Sequence, residues 1–129
     1  MLHFDGFEPD ALLGEHRLLL TAELLAQWRA LFPEDSTGNV APRGMAAILS
    51  SRAYCAVVAP RPPGNVHGAQ RFEIRRMPSV GETVLTRISC ASKRLKDGRR
   101  WVQFRMVGMV ASGDGTPCFE GLMTVLWAA

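Results

Sequence analysis

Only a few side chains of this sequence have the type and position needed for acid–base chemistry. His67 stands at the start of a predicted strand, and Asp35 lies next to Glu34 in a loop before a predicted helix. Each could accept a proton from water if a second group held it in position. For His67 the sequence suggests only Glu73 or Asp35 as that group, and a lone histidine at a strand start is more often a hydrogen-bonded structural residue. For Glu34 and Asp35, adjacent carboxylates in a loop, a solvated charge pair is the more common role.

Other common chemistries lack their signatures. There is no Gly-x-Ser-x-Gly nucleophile elbow and no glycine-rich phosphate loop. The three cysteines, Cys55, Cys90 and Cys118, are far apart and form no Cys-x-x-Cys pair. We therefore expect small buried side chains rather than a zinc site or a disulfide framework. No cofactor and no metal are predicted.

Binding chemistry has more support. Gly44 lies at the start of a predicted helix, whose first backbone amides have no intrahelical partner. A residue without a side chain would let a carbonyl oxygen approach those amides, as in an oxyanion-type site. The alternative is that Gly44 simply permits close helix packing. Met106, Met109 and Met123 could line an apolar channel, although methionine most often fills a core.

Two helices and four strands are predicted to position these residues. Thr21 is expected to cap an amphipathic helix that ends before Pro33. The segment Pro42–Val58 is predicted as a second helix, buried on most sides because apolar residues occupy most of its circumference. Alternating or β-rich segments predict the strands Gln70–Met77, Glu82–Ser92, Trp101–Ala111 and Cys118–Trp127.

The connections between the predicted strands are short. The strings PSVG, KDG and SGDG, at residues 78–81, 96–98 and 112–115, are turn signals. Strands joined by tight turns pair antiparallel. The expected fold class is therefore α+β, with a long central helix wrapped by a curved antiparallel sheet. We expect one domain over residues 1–129, of which residues 1–14 are irregular.

Composition argues against several classes of partner. Fifteen Lys and Arg residues oppose twelve Asp and Glu residues, a mild excess that suits either a phosphate-bearing ligand or an ordinary surface. No long basic run with interleaved aromatic residues occurs, so nucleic acid is not expected. No stretch is apolar enough to span a membrane, and the first residues do not resemble a signal peptide. We expect a cytoplasmic protein.

Two strings resemble the MaoC-like branch of the hot-dog superfamily. VAPRGMAAILSSRAY, Val40–Tyr54, is similar to the entry into that family's central helix, and GNVHGAQRFEIRRMPSVGETV, Gly64–Val84, is similar to the strand, turn and strand that follow. The resemblance covers about Thr21–Trp127 and implies a hot-dog fold. The family's His-x-x-Gln-x-Phe strand and Pro-x-x-Gly-Asp/Glu turn are matched by His67, Gln70, Phe72, Pro78, Gly81 and Glu82.

The resemblance is incomplete where that family's chemistry takes place. Catalytic members carry an aspartate and, five residues later, a histidine, which together activate water for addition to an enoyl thioester. Here Val40 stands five residues after Asp35, and the family's His-Gly at the helix start is matched by Arg43 and Gly44. This pattern is similar to the family's non-catalytic halves, which pair with a catalytic half to complete a substrate tunnel.

The resemblance also implies a ligand and the residues that contact it. The ligand would be an acyl thioester, with coenzyme A or acyl-carrier pantetheine as part of the substrate. Arg43, Gly44, Met45 and His67 are expected to bind it. His67 and Asp35 are the catalytic candidates, should the chain itself be an enzyme.

Three functions stay open. The first is a non-catalytic subunit that completes the site of a partner (R)-specific enoyl hydratase or 3-hydroxyacyl dehydratase, a lyase. The second is a homo-oligomeric acyl-CoA thioesterase that uses Asp35 or His67. The third is a non-enzymatic acyl-binding or interaction module. All three predict a homodimer, or a heteromer with a catalytic hot-dog chain, because the sheet edge of one hot-dog protomer commonly pairs with another.

Overall fold

Helices and strands are arranged in a simple order along the chain. A computed structural model describes residues 1–35 and 38–129. The α-helices are α1 (Ala22–Leu31) and α2 (Ala46–Val57), and the strands are β1 (Leu12–Leu19), β2 (Val66–Ile74), β3 (Thr83–Lys96), β4 (Arg99–Val110) and β5 (Pro117–Trp127). Short 3-10 turns cover Phe4–Gly6, Pro33–Asp35 and Arg43–Met45. Ser36 and Thr37, in the loop predicted between the helices, lie outside the described residues.

The strands form an antiparallel sheet in the order β1-β3-β4-β5-β2. The turn between β3 and β4 has Asp97 and Gly98 at φ values of 53° and 72°, as the two central residues of a type I′ hairpin require. Helix α2 lies across one face of this sheet, where Leu49 and Ala53 are buried in the core. The predicted α+β architecture, a central helix with an antiparallel sheet around it, is confirmed.

Helix α1 begins as predicted. The Thr21 hydroxyl accepts a hydrogen bond from the Leu24 backbone amide at 3.0 Å, which satisfies one of the free amides of the first turn. Leu25 is buried, but Leu31, on the predicted apolar face, is 75% exposed. The apolar face of α1 is therefore buried near the start of the helix and exposed at its end.

The N-terminal segment is more ordered than the sequence predicts. Leu12 begins β1, so the prediction that residues 1–14 are irregular is wrong for the last three of them. Phe7 is buried, and its ring meets Phe104 and Trp127 edge-on, at centroid distances of 5.5 and 4.9 Å. Strand β1 escapes prediction because it pairs on one side only and stays half exposed, so its sequence LLGEHRLL has no need of a strict alternation.

Strand β2 starts earlier than predicted. It spans Val66–Ile74 rather than Gln70–Met77, because its pairing with β5 begins at Val66, opposite Leu126. Its first four residues are exposed and show no apolar alternation, so no sequence signal marks them. Met77 is buried in the loop that follows and not in the strand.

Helix α2 is buried on one face rather than on most sides. Ala46, Leu49, Ser50 and Ala53 face the core, whereas Ala47, Ser51, Arg52, Cys55 and Ala56 are exposed. The helix also starts later than predicted, because Arg43–Met45 form a 3-10 turn before it. Cys55 is exposed, contrary to the expected burial, while Cys90 and Cys118 are buried as expected. A largely apolar helix face is thus left uncovered by the described chain.

Candidate functional site

A cavity of about 530 Å³ lies between α2 and the β2–β5 side of the sheet. This volume is within the range of small-molecule pockets, roughly 300–1,000 Å³. Most of the surface area of its wall is apolar, although polar residues also contribute to the lining. The apolar wall comprises Ala47, Ile48, Cys55, Phe72, Met123 and Val125, and the other lining residues are Ser50, Ser51, Tyr54, Arg61, Asn65, His67 and Gln70.

The cavity exists because small residues follow one another on the outer face of α2. Ala47, Ser51 and Cys55 stand four residues apart, so they line one side of the helix. On the sheet side Gly121 of β5 has no side chain, and an added Cβ would lie 3.0 Å from the Phe72 ring of β2. Phe72 therefore lies across the sheet at this point and forms part of the cavity wall.

Asn65 contributes a fixed polar group. Its Oδ1 accepts a hydrogen bond from the Ala128 backbone amide at 2.8 Å, which ties the loop before β2 to the end of β5. Its Nδ2 is buried and has no hydrogen-bond partner within the part of the chain that the structure describes. A buried donor without a partner costs about 1–3 kcal/mol, so an acceptor at this end of the cavity would be favourable.

Tyr54 and Arg61 lie together on the cavity wall. The Arg61 guanidinium is 5.2 Å from the centre of the Tyr54 ring, a cation–π geometry. Arg61 also donates to the carbonyl oxygens of Val58 at 2.8 Å and of Cys55 at 3.3 Å, near the C-terminal end of α2. Burial raises the pKa of the Tyr54 hydroxyl, and the positive charge of Arg61 partly opposes that rise. The hydroxyl is therefore a neutral donor at physiological pH.

His67 is the one predicted site residue that the structure places on the cavity. It is exposed, and its Nε2 lies 3.1 Å from the carbonyl oxygen of Ala69, across a β-bulge in the pairing of β2 with β5. No Asp or Glu is among the described lining residues, so no carboxylate orients the imidazole there. The arrangement lacks the acid–base pair that activation of water requires.

Asp35 has a structural partner elsewhere. Its Oδ2 accepts a hydrogen bond from the Trp28 indole nitrogen at 2.9 Å, and its carbonyl oxygen accepts one from Arg29 Nε at 2.9 Å. It is not among the residues that line the cavity. The structure therefore does not bring Asp35 and His67 together in one site.

The residues before α2 also lie apart from the cavity. Arg43 is exposed and donates to the Ile74 carbonyl oxygen at 3.4 Å. A Cβ added to Gly44 would come within 2.8 Å of Trp28 Cζ2, so the glycine permits close packing of the indole. Met45 is completely buried in the core. A contact between these three residues and a ligand stays a prediction.

Sequence reasoning missed most of the cavity residues. Tyr54, Arg61 and Asn65 belong to no motif, and their proximity depends on where β2 and β5 meet the helix. One signal was available, namely the small residues at positions 47, 51 and 55 of a helix that is otherwise apolar. Met106 and Met123, two of the methionines considered for a channel, are both buried in the core, and Met123 also lines the cavity.

None of the described helices is long and apolar enough to cross a membrane. No group of three or more His, Cys, Asp or Glu side chains in residues 1–35 and 38–129 could hold a metal ion.

Solved structures show which fold this is. No family model and no curated protein matches the sequence. The MaoC-like dehydratase from Rhodospirillum rubrum superposes with a TM-score of 0.81 and 11% identity, over 100% of this chain and 99% of that one. The HadBC (3R-hydroxyacyl-ACP dehydratase) complex from Mycobacterium tuberculosis gives 0.68 and 18%, over 86% and 90%. The fluoroacetyl-CoA thioesterase FlK gives 0.68 and 18%, over 95% and 88%.

These similarities establish the fold. At identities of 11–18% they do not show that residues at matching positions have the same function. The expected hot-dog fold is confirmed, and the resemblance to MaoC-like dehydratases holds as a similarity of fold.

Proposed function

We propose that this chain is an acyl-thioester-binding hot-dog subunit without its own acid–base pair, which completes the site of a partner enoyl hydratase or 3-hydroxyacyl dehydratase. The observation that carries the proposal is the cavity against α2. It is large, mostly apolar and without a carboxylate among its described lining residues. Such a cavity suits an acyl chain, and its described lining has no carboxylate to act as a general base or to orient His67 as one.

The polar end of the cavity suits the thioester and pantetheine groups of the ligand. Asn65 Nδ2 is a buried donor without a hydrogen-bond partner in the described chain, and the Tyr54 hydroxyl, whose pKa is raised by burial, is a second donor on the cavity wall. A carbonyl or amide oxygen of a pantetheine arm is the kind of acceptor that both donors can use. The acyl chain would then extend along Ile48, Phe72 and Met123.

The open side of the cavity favours a partner chain. Strand β2 forms one wall of the cavity and is an edge of the sheet, paired with β5 on one side only. An unpaired edge strand readily accepts another strand, and the exposed small residues of α2 lie beside it. HadBC, similar in fold, is described as a complex with 3R-hydroxyacyl-ACP dehydratase activity, which supports a hot-dog chain as the partner.

Purification of the tagged chain from its own cells, with intact-mass measurement, tests the partner. We expect a second hot-dog chain that carries an aspartate and, five residues later, a histidine. Val66→Lys on β2 should disrupt the complex, whereas Leu12→Lys, at an equally exposed residue of the other edge strand, should leave it intact. Recovery of this chain alone, or equal effects of the two substitutions, would contradict the proposed arrangement.

Titration of the purified protein with octanoyl-CoA tests the cavity. Ser51→Phe places a large side chain in the cavity and should weaken binding about tenfold or more. Arg52→Phe is the matched control, since Arg52 is exposed on the same helix and is absent from the lining. If both variants bind as the unsubstituted protein does, the ligand site lies elsewhere.

A thioesterase is the second candidate, and the presence of His67 on the cavity favours it. FlK, a thioesterase, is similar in fold. The purified homo-oligomer should then cleave octanoyl-CoA, and His67→Gln should abolish cleavage without affecting binding. Cleavage that survives His67→Gln would exclude this version, and absence of cleavage by the unsubstituted protein would favour the non-catalytic subunit.

A further inference from the structure

The hairpin between β3 and β4 ends in a concentration of positive charge. Arg94, Lys96, Arg99 and Arg100 are all exposed, and Lys96 lies directly opposite Arg99 in the pairing of the two strands. Like charges at directly opposed positions destabilise a hairpin. Asp97 lies in the turn, yet no carboxylate of the described chain forms an ion pair with any of the four cations. Residues that destabilise the local structure in this way are common at functional sites.

An indole lies on the same face as Arg94, Lys96 and Arg99. Trp101 is directly opposite Arg94 and half-buried. One edge of its ring reaches Gly68 in the bulge of β2, where an added Cβ would be 3.3 Å from Trp101 Cζ3. This contact holds the ring across the outer face of the sheet, away from the cavity against α2.

Trp101 and Arg94 are shared by two adjoining hollows, which together form a groove. The first, of about 390 Å³, is completed by Lys96, Asp97 and Arg99. The second, of about 180 Å³, contains a ladder of polar side chains. In that ladder the Ser92 hydroxyl donates to Gln103 Oε1 at 2.8 Å, and Gln103 Nε2 donates to the Thr124 hydroxyl at 3.2 Å.

The groove thus presents three kinds of group in sequence. Cations lie at one end, an aromatic ring lies in the middle, and hydroxyl and amide groups lie at the other end. Guanidinium groups bind phosphate through paired N–H donors. An aromatic side chain provides a face on which a nucleobase stacks. The hydroxyl groups can exchange hydrogen bonds with a ribose or a base edge.

We propose that this groove binds a nucleoside phosphate. Its phosphates contact Arg94, Lys96 and Arg99, and its base contacts Trp101. The presence of the ring and of the polar ladder beside the cations favours a nucleotide over a simple anion, which would need the charges alone. The proposal goes beyond the proposed function, because Trp101 and Thr124 lie on the outer face of the sheet, while the neighbouring Met123 and Val125 face the cavity.

Calorimetric titration of the purified full-length protein with ADP at low salt tests the proposal. We expect saturable one-to-one binding, weaker binding of adenosine, and weaker binding of pyrophosphate. Lys96→Gln combined with Arg99→Gln should weaken ADP binding about tenfold or more, because two charged contacts to phosphate are lost. Trp101→Leu should weaken it at least about fivefold, the lower range for a stacked base.

Arg105→Gln is the matched control. Arg105 is an exposed cation of β4 on the same outer face, and it lines neither hollow of the groove. Its replacement should change ADP affinity by less than about twofold, the effect of a distant exposed charge. Failure of ADP to bind would overturn the proposal. Equal loss in the Arg105 variant, or equal binding of pyrophosphate and ADP with no effect of Trp101→Leu, would overturn it too, because attraction of anions to a basic surface would then be sufficient.

Discussion

Helix α2 and the turn before it differ in what surrounds them. In the turn, Met45 is buried in the core and Gly44 lies close to the Trp28 ring. Asp35, earlier in the chain, accepts a hydrogen bond from the same indole. Along the helix itself, small side chains leave a cavity against β2 and β5. Most of the predicted site residues lie at or before the turn, whereas the cavity contains His67 alone of them. Residues that match part of a family motif can thus contribute to packing when the rest of the motif is missing.

Met45 and Ile48 give the largest expected contrast between the packed turn and the cavity-lining side of α2. Met45→Ala should lower the free energy of unfolding by about 2–5 kcal/mol, because it empties a completely buried position. It should leave the affinity of the folded protein for octanoyl-CoA unchanged. Ile48 is half-buried on the cavity. Ile48→Ala should lower the affinity for octanoyl-CoA about tenfold, because the contact area of three carbons is lost. It should lower the free energy of unfolding by less than about 2 kcal/mol. Urea unfolding and calorimetry measure both quantities, and a reversed pattern would break the comparison.

Gly44→Ala tests whether the glycine serves packing. The added methyl group would meet Trp28 at 2.8 Å, so we expect a loss of about 1–3 kcal/mol in the free energy of unfolding. The loss should shrink in a Trp28→Leu background, because the two positions are coupled through one contact. Gly6→Ala is the control, since a Cβ there meets nothing within 4 Å. If Gly44→Ala instead abolishes ligand binding without changing stability, the glycine belongs to an oxyanion-type site after all.

Two substitutions of Asp35 distinguish a structural role from a catalytic one. Asp35→Ala removes the acceptor of the Trp28 indole hydrogen bond and should cost about 0.5–1.5 kcal/mol. Asp35→Asn keeps a carbonyl acceptor and should cost less than about 0.5 kcal/mol. Turnover by the purified complex should survive Asp35→Asn. A collapse of turnover with unchanged stability would make Asp35 a proton carrier.

The sequence is sufficient for the fold because the fold depends on local signals. The Thr21 cap, the Asp97–Gly98 turn and the alternation along β3 to β5 are each set by neighbouring residues. The edge strands were missed or displaced for the opposite reason. Pairing on one side only leaves their residues half exposed, so β1 and the first half of β2 carry no strong apolar pattern.

The site is less predictable because it depends on contacts between distant parts of the chain. Asn65 is oriented by Ala128, 63 positions away, and Trp28 reaches Gly44 from the preceding helix. His67 was singled out through its family-like string, and it lies on the cavity, although its role there stays a prediction. The direction in which a strand or helix presents a side chain to a cavity is fixed by tertiary packing, which single-sequence patterns do not contain.

Tyr54 gives the smallest expected effect and the most specific measurement on the cavity side of α2. It is the single tyrosine of the sequence, so the absorbance of tyrosinate reports on it alone. Burial raises its pKa, and Arg61 opposes the rise. We expect the Tyr54 pKa of the folded protein to lie above the ordinary value of about 10, and Arg61→Gln to raise it further. Because the pKa is lower in the unfolded chain, stability from Tyr54 is fully present below about pH 10 and decreases as pH rises above it. Tyr54→Phe should flatten this alkaline dependence in urea unfolding. A Tyr54 pKa that falls in the Arg61 variant would mean that the guanidinium does not lie over the ring in solution, and the cavity wall would then be arranged differently.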